Sequence, residues 1–90
     1  MKCYIISYEL VGYRNYDAIH NAIKSYGNWA KVTESTWIVV TYQTSAQIRD
    51  YLVKFMDYND RILVMKGGGE AAWNNSIADN NWLRENLVKI

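Results

Sequence analysis

Proline is absent from the 90 residues, and cysteine, histidine and phenylalanine occur once each. Without proline no built-in breaker interrupts the chain, which suits compact, regular elements. The single cysteine, Cys3, excludes an intramolecular disulfide and a thiolate metal cluster, and within a strand it reads as inert packing. The single histidine, His20, lies between Ile19 and Asn21 at a polar, surface position of a predicted helix. With no second histidine or cysteine beside it, zinc binding and histidine acid–base catalysis are disfavoured. Charge of one sign is lacking too: ten basic and nine acidic residues leave a formal net charge of +1. Duplex-wrapping proteins carry a clear basic excess, because phosphate neutralisation drives their affinity, so strong polyanion binding would need a local basic patch. No apolar run is long enough to span a bilayer and no signal segment is visible, which points to a cytoplasmic, reducing setting with no membrane partner.

Apolar and aromatic residues are what the chain has in quantity. Half of it is hydrophobic, and four Trp and eight Tyr occur in 90 residues, which argues against disorder and for a single domain. Residues Lys2 to Leu10, rich in Ile and Tyr, read as a strand. Ala18, Ile19, Ala22, Ile23 and Tyr26 mark one face of a helix over Tyr16 to Tyr26, capped by Asn15 and stopped by Gly27. Asn28 to Thr33 and Thr36 to Tyr42 read as strands joined by a Glu34-Ser35 turn. Thr44-Ser45-Ala46-Gln47 is a capping box opening a second helix with Ile48, Tyr51, Leu52, Phe55 and Met56 on one side, ended by Asp57 to Asp60. Arg61 to Lys66 is a fourth strand. The order is strand, helix, strand, strand, helix, strand, the ferredoxin-like βαββαβ pattern of an α+β fold with an antiparallel sheet. Residues 1–66 form this core and 67–90 a C-terminal extension. In the extension Gly67-Gly68-Gly69 ends the fourth strand, Glu70 to Asn75 reads as a short strand or turn, and Asp79 to Leu87 as a short amphipathic helix.

Two helices cover one face of such a sheet, so the strands should alternate apolar and polar residues. They do not. Cys3 and Ile5 point opposite to Tyr4, Ile6 and Tyr8; Trp37 and Val39 oppose Ile38 and Val40; Ile62 and Val64 oppose Leu63 and Met65. Both faces are apolar. A second copy packed sheet to sheet, touching the extension as well, is the expected cover, and the chain's own extension is the competing one.

Several short segments resemble a known family. Ile6-Ser7-Tyr8-Glu9-Leu10 with Arg14 in the following loop, Lys24-Ser25-Tyr26-Gly27 at the helix end and Glu34-Ser35-Thr36-Trp37 in the hairpin resemble the CRISPR-associated Cas-two family. The SinR-like branch is similar over Ile5-Ile6-Ser7-Tyr8, Glu34-Ser35-Thr36-Trp37 and Glu70-Ala71-Ala72-Trp73, so the likeness covers residues 1 to about 75. It implies a ferredoxin-like homodimer that lies along duplex DNA and bridges integrase dimers in spacer acquisition. It also implies, for some members, a metal-dependent nuclease with an Asp at the end of the first strand. Glu9 holds that position here, one methylene longer, against the tight octahedral geometry of Mg²⁺.

The topology gathers Glu9, Arg14, Ser35 and Asp60 at one edge of the sheet. A twofold axis that pairs two Glu9 carboxylates would suit two-metal phosphodiester chemistry, making Glu9 both the candidate catalytic residue and the metal ligand. The competing reading of Glu9 is a solvated strand-end charge paired with Arg14 or Arg61. Tyr8, Tyr13, Arg14, Ser35 and Trp37 are candidate ligand contacts, as are Trp73 and Asn74, which with Asn75 offer stacking and base hydrogen bonds. A Trp such as Trp73 more often plugs an interface, and the three glycines read as a turn rather than a phosphate cradle. The leading expectation is a non-catalytic or weakly catalytic homodimer, or higher homo-oligomer, that binds nucleic acid or a nucleotide in antiviral defence, with no cofactor other than Mg²⁺ if it has one. The alternatives are a Mg²⁺-dependent endonuclease using paired Glu9 and a phage protein that sequesters a nucleotide signal.

Overall fold

The structure, a computed structural model, describes residues 1–12 and 14–88. Strand β1 spans Lys2–Glu9, helix α1 Tyr16–Lys24, β2 Trp29–Thr33, β3 Thr36–Thr41, helix α2 Ser45–Leu52, β4 Arg61–Lys66 and helix α3 Asn80–Leu83. A tight helical turn, Val53–Phe55, follows α2, and a wide one, Arg84–Val88, follows α3. The sheet runs β2-β3-β1-β4 with every neighbouring pair antiparallel. This is the α+β, ferredoxin-like architecture with a short C-terminal extension. Residues 70–75 add no strand to it.

Local chemistry sets the helix ends. The Asn15 side chain accepts from the Ala18 amide at 3.1 Å and starts α1. Gly27, at φ +88°, turns the chain after α1 in the left-handed region that glycine enters without steric cost. Both halves of the capping box form at α2: Gln47 N–H donates to Thr44 Oγ1 at 3.1 Å, and Thr44 N–H to Gln47 Oε1 at 2.9 Å. Regular α2 stops at Leu52, earlier than the apolar spacing suggests. Phe55 and Met56 sit in or after the tighter turn, where Phe55 packs edge-on to Tyr51 with ring centroids 5.3 Å apart.

Register sorts the strand residues between two cores. In β1–β3, Tyr4 pairs with Val39 and Ile6 with Trp37; in β1–β4, Ile6 pairs with Val64 and Tyr8 with Ile62. Directly opposed residues share a face, so all of these meet α1 and α2, where Ile19, Ile23, Ile48 and Leu52 are fully buried.

The opposite face carries the second core, Cys3 and Ile38 against Leu83 and Leu87 of the extension, with Val40, Trp73, Ala78 and Trp82 packed around them. This corrects the expectation that another molecule must cover that face: the extension does so over β2, β3 and β1. The Ile77 amide donates to Val32 carbonyl at 3.0 Å, the Trp82 indole to Asn28 Oδ1 at 3.1 Å, and Asp79 caps α3 through the Trp82 amide at 3.0 Å. Gly67, at the exit from β4, lies so close to the sheet that a Cβ there would sit 3.0 Å from Cys3 Sγ and 3.1 Å from Leu87 Cδ1. The cover stops short of β4, where Leu63 and Met65 remain 57% and 49% exposed.

Candidate functional site

Two places were expected to hold ligand-contacting residues, the edge at the end of β1 and the extension around Trp73. At the edge, Glu9 pairs with Arg61 across the β1–β4 ladder, carboxylate to guanidinium at 2.7 Å, both side chains well exposed. That is the ion-pair reading of Glu9. Among the described residues no group of three His, Cys, Asp or Glu side chains gathers to hold a metal ion. Asp60 is taken up structurally. Its carboxylate accepts from the amides of Val11 at 2.7 Å, Gly12 at 2.8 Å and Asp57 at 2.7 Å. The Gly12 amide, foremost among these bonds, holds its carboxyl below the usual range. Gly12 is required there, since a Cβ would run into Asp57 and Asn59. Arg14, at φ +63°, lines a small hollow of about 180 Å³ with Asn15, Phe55, Met56, Asp57 and Asp60. Ser35 is exposed in the β2–β3 turn, its carbonyl accepting from the Tyr8 amide at 3.2 Å. Tyr13 lies outside the described residues.

Tyr8 and Trp37 are corrected as ligand contacts. They are 4% and 1% exposed, their side chains packed into the helix-side core. His20, read as a surface residue, is half-buried against them. Its Nε2 bonds the Tyr8 hydroxyl at 2.7 Å, and its ring lies 5.0 Å from that of Trp37. Burial first, then Lys31 and Lys24, lower the imidazole's proton affinity, against smaller opposing effects of Asp17 and Glu34. On this geometry His20 is a polar plug at the rim of the core.

The extension is where expected residues do converge. Trp73, Asn74, Asn75 and Ser76 form one wall of an open groove of about 540 Å³, and Asn80 and Arg84 form another. Asn75, at φ +56°, bends the wall. Asn80 Oδ1 accepts from the Trp73 indole N–H at 3.0 Å, which fixes the orientation of the ring. Arg84 is steadied by a 2.9 Å bond from its guanidinium to Asn81 Oδ1. Asn80 and Arg84 were not singled out from the sequence, although they stand four residues apart on a predicted helix and so share a face. The groove thus combines an indole, several carboxamides and one guanidinium, with no carboxylate in its lining. That set can stack on a planar ring, form paired hydrogen bonds to it and meet an anionic group.

No protein-family model matches the chain, and no solved structure matches it. No helix among the described residues is long and apolar enough to cross a membrane.

Proposed function

We propose that this chain is a non-catalytic, homodimeric binding module of the Cas-two-like kind that takes a nucleotide in the extension groove. The observation that carries this reading is the convergence of Trp73, Asn74, Asn75, Asn80 and Arg84 on one open hollow. A base is a planar ring with mixed donors and acceptors, which an indole and carboxamides recognise together, and its phosphate suits Arg84. The near-neutral charge of +1 favours a ligand with few phosphates over a long duplex. The likeness of residues 1 to about 75 to the Cas-two family supports a place in nucleic-acid-linked antiviral defence, in the cytoplasm. The nuclease alternative finds less support, because the Glu9 carboxylate is engaged by Arg61.

The test is titration of the purified chain with mononucleotides, dinucleotides and an oligonucleotide duplex, followed by tryptophan fluorescence and calorimetry. Binding of the small ligands should weaken about tenfold or more in Trp73→Ala and Arg84→Ala, since stacking on one aromatic ring is worth about 1–3 kcal/mol. Arg84 is exposed, so its variant keeps the fold and reads the contact alone. Salt dependence should be shallow, as expected for one or two phosphates. Glu9→Ala should bind like the parent, and neither should cleave nucleic acid with Mg²⁺. Absence of small-ligand binding up to millimolar concentration, or equal binding by Arg84→Ala, would refute the groove as the site.

A further inference from the structure

We propose that the outer edge of β4 is the docking surface for a second copy of this chain, paired antiparallel with the same edge of its partner about a twofold axis at Leu63. The inference rests on the reading that two chains work together, and adds where they meet: edge to edge, since the extension occupies most of the face that sheet-to-sheet packing would need.

The two edges of the sheet are treated differently. At β2 the register is irregular between Lys31 and Thr33, and the Val32 carbonyl accepts from the Ile77 amide of the extension. At β4 the ladder to β1 is regular over all six residues. Gly67 N–H bonds the Cys3 carbonyl, so Cys3, Ile5, Ser7 and Glu9 turn their backbone groups toward β4, where they pair with Gly67, Met65, Leu63 and Arg61. The N–H and C=O groups of Ile62, Val64 and Lys66 therefore face outward from the last strand of the sheet. A regular open edge of this kind recruits another strand, and charges at its ends decide which strand and in what register.

The charges on β4 favour a copy of itself. With Leu63 on the axis, Ile62 faces Val64 of the partner subunit and Lys66 comes opposite Asp60 of the partner subunit, so each end brings opposite charges near each other just beyond the strand, the Asp60 carboxylate being anchored by the Val11, Gly12 and Asp57 amides of its own chain. With Val64 on the axis, Lys66 would face Ile62 and have no opposite charge across the axis, while Arg61 keeps Glu9 of its own chain in either register. In the first register Leu63, 57% exposed in the single chain, meets its own counterpart at a non-hydrogen-bonded position, where opposed Cα atoms approach to about 4.5 Å. On the helix side the hollow between α2 and β4, lined by Ser45, Ala46, Arg49, Ile62 and Val64, runs alongside the same edge.

Sedimentation of the full chain over a range of concentrations, with a mild-oxidant cross-linking series, tests this. The parent should show a monomer–dimer equilibrium. Leu63→Lys, which sets two cations on the axis, should reduce the association constant at least tenfold. Val64→Pro, which removes an outward-facing N–H together with part of the helix-side packing of Val64, should do the same, with circular dichroism reporting that each chain is folded. Leu63→Cys should form a disulfide dimer quickly, and Ile77→Cys, exposed on the extension, should not. A monomer at every concentration, a Leu63→Lys change of less than tenfold, or Leu63→Cys cross-linking no faster than Ile77→Cys would each overturn the proposal. Nucleotide titration of Leu63→Lys reads the groove separately, so failure of the edge and failure of the proposed function are distinguishable.

Discussion

The two faces of the sheet are covered by different means. On one, α1 and α2 bury eleven core residues from Tyr4 to Leu52, and each helix is anchored by a side-chain cap in its first turn. On the other, the extension buries four, Cys3 and Ile38 under Leu83 and Leu87, and is held at its margins by a few bonds such as Trp82 to Asn28. A face sealed by two capped helices unfolds only with the whole domain. A face sealed by a four-residue helix and irregular chain can open locally while the sheet persists. The groove proposed for ligand binding is built on that second, looser cover, where small rearrangements cost least.

Truncations on the two faces sharpen this contrast. Ile48→Ala on the helix side, where the residue is fully buried, should lose about 3 kcal/mol in a single cooperative transition, as buried aliphatic truncations do. Urea unfolding followed by two spectroscopic probes would check it. Leu83→Ala on the extension side should cost less, about 2 kcal/mol, because the thin cover can settle into part of the space left behind. Hydrogen exchange should show its loss confined to the extension, with β1 and β3 still protected. If Leu83→Ala weakens the β1 and β3 amides as much as Ile48→Ala does, the two faces form one cooperative unit and the contrast fails.

Cys3 offers a smaller and more local probe. It is 3% exposed beneath the extension, and burial pushes its thiol up, so a disulfide reagent should label it slowly. Gly67→Ala forces a methyl against Cys3 Sγ and Leu87 Cδ1, which should cost about 1 kcal/mol and speed labelling several-fold. Unchanged labelling with unchanged stability would mean that the exit from β4 is slack and not closely packed.

Much of the fold was legible because its signals are local. The Thr44–Gln47 capping box, the Asn15 cap and the apolar spacing of Ile19, Ala22 and Ile23 each involve residues within one or two turns of each other. The apolar character of both strand faces was legible too, but what covers the second was not. Alternation shows that Cys3 and Ile38 need a partner without showing whether it lies on the same chain. The same limit applied to the site. Trp73 and Asn74 stand adjacent in sequence and were found together, whereas Asn80 and Arg84 reach them only through the fold of the extension. Tyr8 and Trp37 misled for a related reason, and His20, read as a surface residue, was not seen as their neighbour. Aromatic and titratable residues suggest ligand contacts one at a time, yet here they satisfy each other, phenol to imidazole, at the rim of the core.

That pair yields the mildest distinction between the faces, and it depends on pH. Burial and the neighbouring Lys31 and Lys24 ammonium groups favour neutral His20 in the folded chain, with Asp17 and Glu34 opposing more weakly, and neutral Nε2 can accept the Tyr8 hydroxyl proton. A base whose folded value is depressed contributes stability that is complete above its ordinary value, about 6.5, and is lost as pH falls through the folded one. Asp60, also depressed, follows the same rule but only below the ordinary carboxylate range, about 3.9. Between those two values acid should therefore loosen the helix face, where His20 sits, before the extension face, which holds neither of these groups. His20 is the only imidazole in the chain, so its proton resonances can be followed without ambiguity. They should titrate below about 6.5, and Lys31→Ala should move the midpoint upward. In hydrogen exchange at mildly acidic pH, α1 amides should lose protection relative to α3 amides. A midpoint at or above the ordinary value would remove the electrostatic difference between the faces and leave only their packing to distinguish them.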